Sequence, residues 1–296
     1  MNASTRSRKD TRRRRRNAPL PLRLMRLVFS KLGPLFPSLL GAWAYRIWFS
    51  TRRFKSPKRE SPWLEGAQQQ RVELAGLPVM TYQWGEQGKP LVVLMHGWNG
   101  RGSQMGAFAS PLVEAGFHVL SYDAPAHGQT PGSSTNIFVM RDVLNGIADQ
   151  IAPIHAIVAH SFGGMVSALA MSEGLAASRA VLLSAPAQFE MLVQRFGEGL
   201  HMPDVIQDDL KRRILQRFGE QRMAQVSPVV STRQLSHIPA LIIHDEDDHD
   251  VPVQQGLLIH QNWPGSELVK TSGLGHTRVL YNPGVIDWVV AFVSHS

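Results

Sequence analysis

The sequence contains no cysteine. Disulfides, thiolate zinc centres and cysteine nucleophiles are excluded together, while the redox compartment stays open, since a chain without thiols tolerates either. Long hydrophobic runs are also missing from the N-terminal region. A membrane-spanning helix needs about 20 mostly apolar residues, and the longest charge-free stretch there, Leu32 to Tyr45, is shorter and carries Pro34 and Pro37. Carboxylates are nearly absent from the first 59 residues, which hold 17 Lys and Arg against Asp10 alone, a balance of +16. The rest of the chain holds 14 basic and 22 acidic side chains, a balance of −8. The net +8 therefore averages two unlike parts, and attraction to polyanions belongs to the first.

What is present fits a globular protein: 296 residues, 43% hydrophobic and 18% charged. That is enough for one large α/β domain, or two small ones, with a substantial core. The division expected is a basic, partly disordered extension over 1–60 with an amphipathic segment, then a domain over 61–296. Residues 1–17 include Arg12-Arg13-Arg14-Arg15-Arg16, dense like charge with no apolar face, which predicts disorder. Leu20 to Phe49 is rich in Leu, Phe and Trp but punctuated by Arg23, Arg26, Lys31 and Arg46. Those charges spoil a secretory signal. Two readings of the segment stand side by side: an aromatic patch lying in an anionic membrane surface, or a helix pair docked on the domain. The compartment expected is the cytoplasm, at the inner membrane surface under the first reading. No recognition motif accompanies the arginine run, so no specific nucleic-acid partner is expected.

From Arg71 the chain alternates strand and helix signals. Val72–Leu74 and Val79–Trp84 flank Gly76 as a hairpin. The short continuous apolar run Leu91–Met95 reads as a strand covered on both faces, and further strands are expected at His118–Tyr122, Ile154–Ala159, Ala180–Ser184 and Ala240–His244, with Glu267–Lys270 the last. Helices are expected over Gln104–Glu114, Asn136–Ile151 and Phe162–Ser172, and from Pro283 through Phe292. The pattern implies an α/β fold with a mostly parallel, doubly wound sheet covered on both faces. Between Pro186 and His237 no strand signal appears, and that interval is expected to be a helical insertion over the sheet.

Four places carry chemistry. Ala159-His160-Ser161-Phe162-Gly163-Gly164 joins a strand to a helix, and small residues on both sides of Ser161 allow the sharp turn that holds a hydroxyl at the sheet's edge. There the Phe162 amide points toward a developing oxyanion. Ala159 stands where the G-x-S-x-G pattern has glycine, and a helix start with Ser161 as its cap competes for the same residues. Met95-His96-Gly97-Trp98 ends an earlier strand and offers the Trp98 amide as second oxyanion donor. Ile243 to Pro252 supplies five competing acids, and a metal reading of His244, Asp245, Asp247 and His249 matches no zinc spacing. His276, between Gly275 and Thr277 in a loop after the last strand, follows the serine and the acids in the chain order Ser–Asp–His.

Together HGW at 96–98, Asp123-Ala124-Pro125-Ala126-His127-Gly128, AHSFGG at 159–164, DEDDHDVP at 245–252 and GHTRVL at 275–280 resemble the α/β-hydrolase superfamily from about Arg71 onward. The resemblance implies Asp248 as the acid, four residues before Pro252, with Asp245 and Asp247 as alternatives. It implies supporting roles for Asp123 and His127, and a lid at about 187–236. It further implies a catalytic set of Ser161, His276 and Asp248, an oxyanion hole at Trp98 and Phe162, and no cofactor. The expected reaction is cleavage of a carboxylic ester in a small acyl substrate. Thioester, amide or peptide cleavage, and an inactive binding scaffold, are the alternatives.

Overall fold

The computed structural model describes residues 18–295. The expected disorder of residues 1–17 lies outside them. Two helices come first, α1 (Leu20–Leu32) and α2 (Pro37–Trp48), followed by two short 3-10 turns at Lys58–Glu60 and Pro62–Leu64. Strands β1 (Gln68–Leu74) and β2 (Leu77–Trp84) form the hairpin, longer than its apolar residues suggest because Gln68, Gln69 and Gln70 pair with Gln83, Tyr82 and Thr81. Backbone pairing, unlike burial, needs no apolar side chain.

Strand β3 (Leu91–Met95) follows, then α3 (Ala109–Glu114), preceded by a 3-10 turn over Gly102–Phe108 where an α-helix is expected from Gln104. Next are β4 (His118–Tyr122), α4 (Ile137–Gln150), β5 (Ile154–His160), α5 (Phe162–Ser172) and β6 (Ala177–Leu183). The Asn136 side chain caps α4 by accepting from the Phe138 and Val139 amides. The interval after β6 is helical throughout: α6 (Phe189–Leu200), α7 (Asp204–Phe218), α8 (Glu220–Gln225) and α9 (Pro228–Ser231). Then come β7 (Ala240–Asp245), α10 (Val253–Asn262), β8 (Glu267–Thr271), α11 (Gly275–Arg278) and α12 (Pro283–Ser294).

The eight strands form one sheet in the order β1-β2-β4-β3-β5-β6-β7-β8, with β1, β2 and β4 joined antiparallel and all later pairings parallel. The pleat divides the core. Leu91, Val93 and Met95 enter one hydrophobic layer with α4, α5 and α10, while Val92 and Leu94 enter the other with α3 and α12. The chain leaves β3 toward β4 and then crosses back to β5 on the other side of β3. That reversal opens a crevice at the C-terminal ends of β3 and β5, where ligands of open α/β sheets bind.

Helices α1 and α2, within the stretch set apart by sequence as an extension, pack on the helical insertion and share its core. Phe29 and Ala44 are fully buried there, and Phe29 stacks on Trp43 at 4.9 Å. A Cβ on Gly41 of α2 would fall inside the Asp209 carboxylate of α7, so a side chain there would push that carboxylate away from Arg212 and Arg213. Trp48 sets its edge against Phe189 and Phe196, and Phe49 meets Phe218. No helix among the described residues is long and apolar enough to cross a membrane.

Candidate active site

Loops leaving the C-terminal ends of β3, β5, β7 and β8 converge on this crevice. Ser161 follows β5 with a φ of 52° and a ψ of −125°, a conformation disfavoured for a residue with a Cβ. Its amide is tied to the Leu183 carbonyl at 2.8 Å. The turn survives because its neighbours yield space: a Cβ on Gly97 would lie 2.8 Å from Ser161 Cβ, and one on Gly163 would lie 2.7 Å from the His96 carbonyl oxygen. The fully buried Ala159 occupies the position of the missing glycine without disturbing the strand. Ser161 stands at the N-cap of α5 but makes no capping bond, so the competing cap reading is not what the hydroxyl does. Ser161 Oγ instead lies 3.0 Å from His276 Nε2.

His276 Nδ1 lies 2.7 Å from Asp248 Oδ2. The Asp248 side chain is fully buried, and its other oxygen accepts from the Asp250 and Val251 amides at 2.9 Å each. Burial pushes this carboxyl up, but the His276 hydrogen bond and charge and the Val251 amide outweigh it and hold it below the usual carboxylate range. Asp248 is therefore an acceptor at neutral pH, which fixes the proton of a neutral His276 on Nδ1 and leaves Nε2 free to accept.

The neighbouring acids have other partners. Asp245 accepts from the Leu274 and Gly275 amides and from Thr271 Oγ1, and Asp247 accepts from the Gly273 amide and Ser272. Both hold the segment that carries His276. That segment is the single helical turn α11 rather than the loop expected from sequence, because Asp245 satisfies the amides at its start. His244 is buried against Asp248 at 3.6 Å, with Nε2 engaged by the Val251 carbonyl. His244, Asp245, Asp247 and His249 share no common point. Among the described residues, the ligand-type atoms lying within 4.8 Å of one another belong to Asp248, Asp250 and His276.

Sequence reasoning passed over His160. Its Nε2 donates to the His276 carbonyl at 2.8 Å, and burial followed by the nearby His276 lowers its pKa to about 3, so it stays neutral. The signal was its place beside the serine. His127 meets the Trp98 ring edge-on and packs on His96, which accepts from the Ala124 amide and donates to the Gly97 carbonyl. Asp123 accepts from the Gly102 and Gln129 amides and the Tyr82 hydroxyl, bracing the same wall.

The Trp98 amide has no acceptor among the described residues, and the Phe162 amide, first in α5, has no carbonyl one turn behind it. Their rings meet edge to face at 5.2 Å. Both residues and Ser161 open into a cavity of about 500 Å³ with an aromatic-rich wall that includes Trp48, Phe49, Phe189, Phe196 and Phe218. No local pattern before residue 60 signals that this segment helps build the wall, as Leu22, Ile47 and Trp48 do. A serine hydroxyl bonded to an imidazole, with a buried carboxylate behind it and free amides beside it, is an arrangement able to activate oxygen for attack on a carbonyl.

The alpha/beta hydrolase family matches residues 92–286. An uncharacterized hydrolase of Bacillus subtilis, YugF, is 23% identical over 268 residues, 75% of this chain and 96% of its own length. The structure of a membrane phospholipase A, a bacterial virulence factor, superposes with a TM-score of 0.62 at 19% identity, over 94% of this chain and 98% of that one. A serine hydrolase from Cycloclasticus zankles does so with a TM-score of 0.58 at 17% identity, over 77% of this chain and 98% of its own. The fold, the match over most of the sheet and the order of the site residues lead to one assignment: this chain belongs to the alpha/beta hydrolase family.

Proposed function

We propose that the protein is a serine hydrolase that cleaves carboxylic esters through an acyl-enzyme on Ser161. The observation that carries this reading is the continuous hydrogen-bond chain from Asp248 through His276 to Ser161, at 2.7 and 3.0 Å. His276 Nε2 takes the hydroxyl proton as Oγ forms its bond to the ester carbonyl carbon, and Asp248 stabilises the imidazolium. The Trp98 and Phe162 amides hold the oxyanion. Collapse of the tetrahedral species breaks the ester bond, and His276 returns the proton to the departing alkoxide. Water, deprotonated by the same imidazole, then releases the acid and restores Ser161.

The aromatic cavity supports an apolar group on the acyl or alcohol side. Helices α6 to α9 act in this reading as the lid over it. The likeness in fold to a membrane phospholipase A and to a serine hydrolase is consistent with ester chemistry.

Hydrolysis of p-nitrophenyl esters of graded chain length, by wild type and Ser161→Ala, tests the reading. Turnover lost in the variant, together with fluorophosphonate labelling of Ser161, is the expected result. Labelling without turnover at any length moves the substrate to thioesters or amides. Absence of both overturns the proposal in favour of a binding scaffold.

A further inference from the structure

Helix α1 carries two apolar stripes on opposite sides. Leu22, Met25 and Phe29 face inward, and Leu22 lines the cavity that holds Ser161. Leu20, Leu24 and Leu27, spaced i, i+4, i+7, face outward and are each more than half exposed. The turn after α1 and the first turn of α2 add Leu35, Phe36 and Leu39, all more than half exposed. A helix docked on a globular domain needs only the inner stripe. Outside residues 20–54, Val205 and Trp288 are the large hydrophobic side chains left exposed among the described residues, so the apolar surface is concentrated here.

The charge around these side chains has one sign. Residues 18–59 contain no Asp or Glu, and Arg23, Lys31, Arg46, Arg52, Arg53 and Lys55 are exposed. The cavity reaches this side of the molecule, for exposed Arg52, Phe54, Arg195 and Gly199 are among its lining residues. Arg26 Nε donates to the Gly199 carbonyl at 2.8 Å and holds α1 against α6 at that rim.

We propose that Leu20, Leu24, Leu27, Leu35, Phe36 and Leu39 dock on a lipid bilayer bearing anionic headgroups, and that the Ser161 cavity opens beside them to take a lipid ester from that bilayer. The leucines enter the headgroup and acyl boundary, while the flanking Arg and Lys side chains meet the phosphates. The docking half stands on the exposed stripe and its charge; the substrate half rests on the ester-hydrolase reading above.

The test sediments the full chain with vesicles of phosphatidylcholine and phosphatidylglycerol in equal parts, and with phosphatidylcholine alone. It compares wild type, Ser161→Ala and the double variant Leu24→Glu/Leu27→Glu, each assayed also on soluble p-nitrophenyl butyrate. Wild type and Ser161→Ala should sediment with the anionic vesicles and less with the neutral ones. The double variant should bind about tenfold more weakly or worse, keep soluble-ester turnover, and lose hydrolysis of a fluorogenic lipid ester held in the vesicles. If the double variant also loses soluble-ester turnover, Arg23→Glu/Lys31→Glu replaces it, with the same expected loss on anionic vesicles. Wild type left in the supernatant, or variants that sediment like wild type, overturn the proposal. So does a wild-type dimer that ignores vesicles and is dissociated by the double variant, which assigns these side chains to a second copy. Sedimentation without turnover of any ester leaves docking in place and removes the ester-hydrolase reading.

Discussion

At the scale of single residues, the site separates acids that look equivalent in the sequence. Asp245, Asp247 and Asp248 lie within four positions, yet only Asp248 reaches the His276 ring, while the first two bind the backbone that carries it. Their substitutions should therefore differ in kind. Asp248→Asn presents an amide to Nδ1, favours the wrong imidazole tautomer, and is expected to lower kcat by about 10³ to 10⁴ with little change in KM. Asp245→Asn keeps the ring's partner but weakens the amide cradle of α11, so a smaller loss of kcat and a lower Tm are expected. Equal losses in both, measured by ester hydrolysis and thermal unfolding, contradict the assignment. The sequence narrowed the acid to this run because it follows a strand, and the resemblance to the α/β-hydrolase superfamily pointed to Asp248 within it. It held no signal for the amides that Asp245 gathers from residues 273–275, because those contacts depend on β7 and β8 pairing in register.

At the scale of elements, legibility followed burial. The central strands were readable because both faces are covered, so each centres on a short apolar stretch, unbroken in β3. The edge was less so: β8 is half exposed, and β1 begins in glutamines. The N-terminal stretch was least readable, because its amphipathic pattern satisfies a membrane surface and a docked helix pair equally, and α1 presents both stripes at once. What anchors the end of that stretch is an ion pair invisible to any local pattern. Arg101 Nε donates to Glu60 at 2.7 Å, a second guanidinium nitrogen engages the other carboxylate oxygen, and Ser103 adds a third bond, all in a buried setting. Removing one partner leaves a buried charge uncompensated, at a cost of about 3–5 kcal/mol. Glu60→Gln should therefore lower the urea midpoint markedly. Replacing Glu73, an exposed charge on edge strand β1, should leave it within error. A Glu60→Gln midpoint equal to wild type would show that the pair contributes nothing net.

At the scale of the whole molecule, imidazoles kept out of water lie beside Gly97 and the serine. His96 and His160 are buried, and burial lowers their pKa values to about 4 and about 3 from the ordinary 6.5. In the unfolded chain both take up a proton as pH falls below 6.5, whereas in the folded protein they do not until pH approaches 4 or 3. The unfolded state thus binds more protons across that window, so stability is complete above it and falls on acidification. Between pH 7 and pH 5 each should cost on the order of 2 kcal/mol. His118, His127 and His244 shift in the same direction, and burial leads in each. The depressed Asp248 and Asp245 add their loss only further down, as pH falls through their folded values. Urea midpoints measured at pH 7, 6 and 5 should therefore decline well before the depressed Asp248 and Asp245 titrate. A decline that begins only below pH 4 would mean that the imidazoles reach water, and that the floor of the site is open rather than packed.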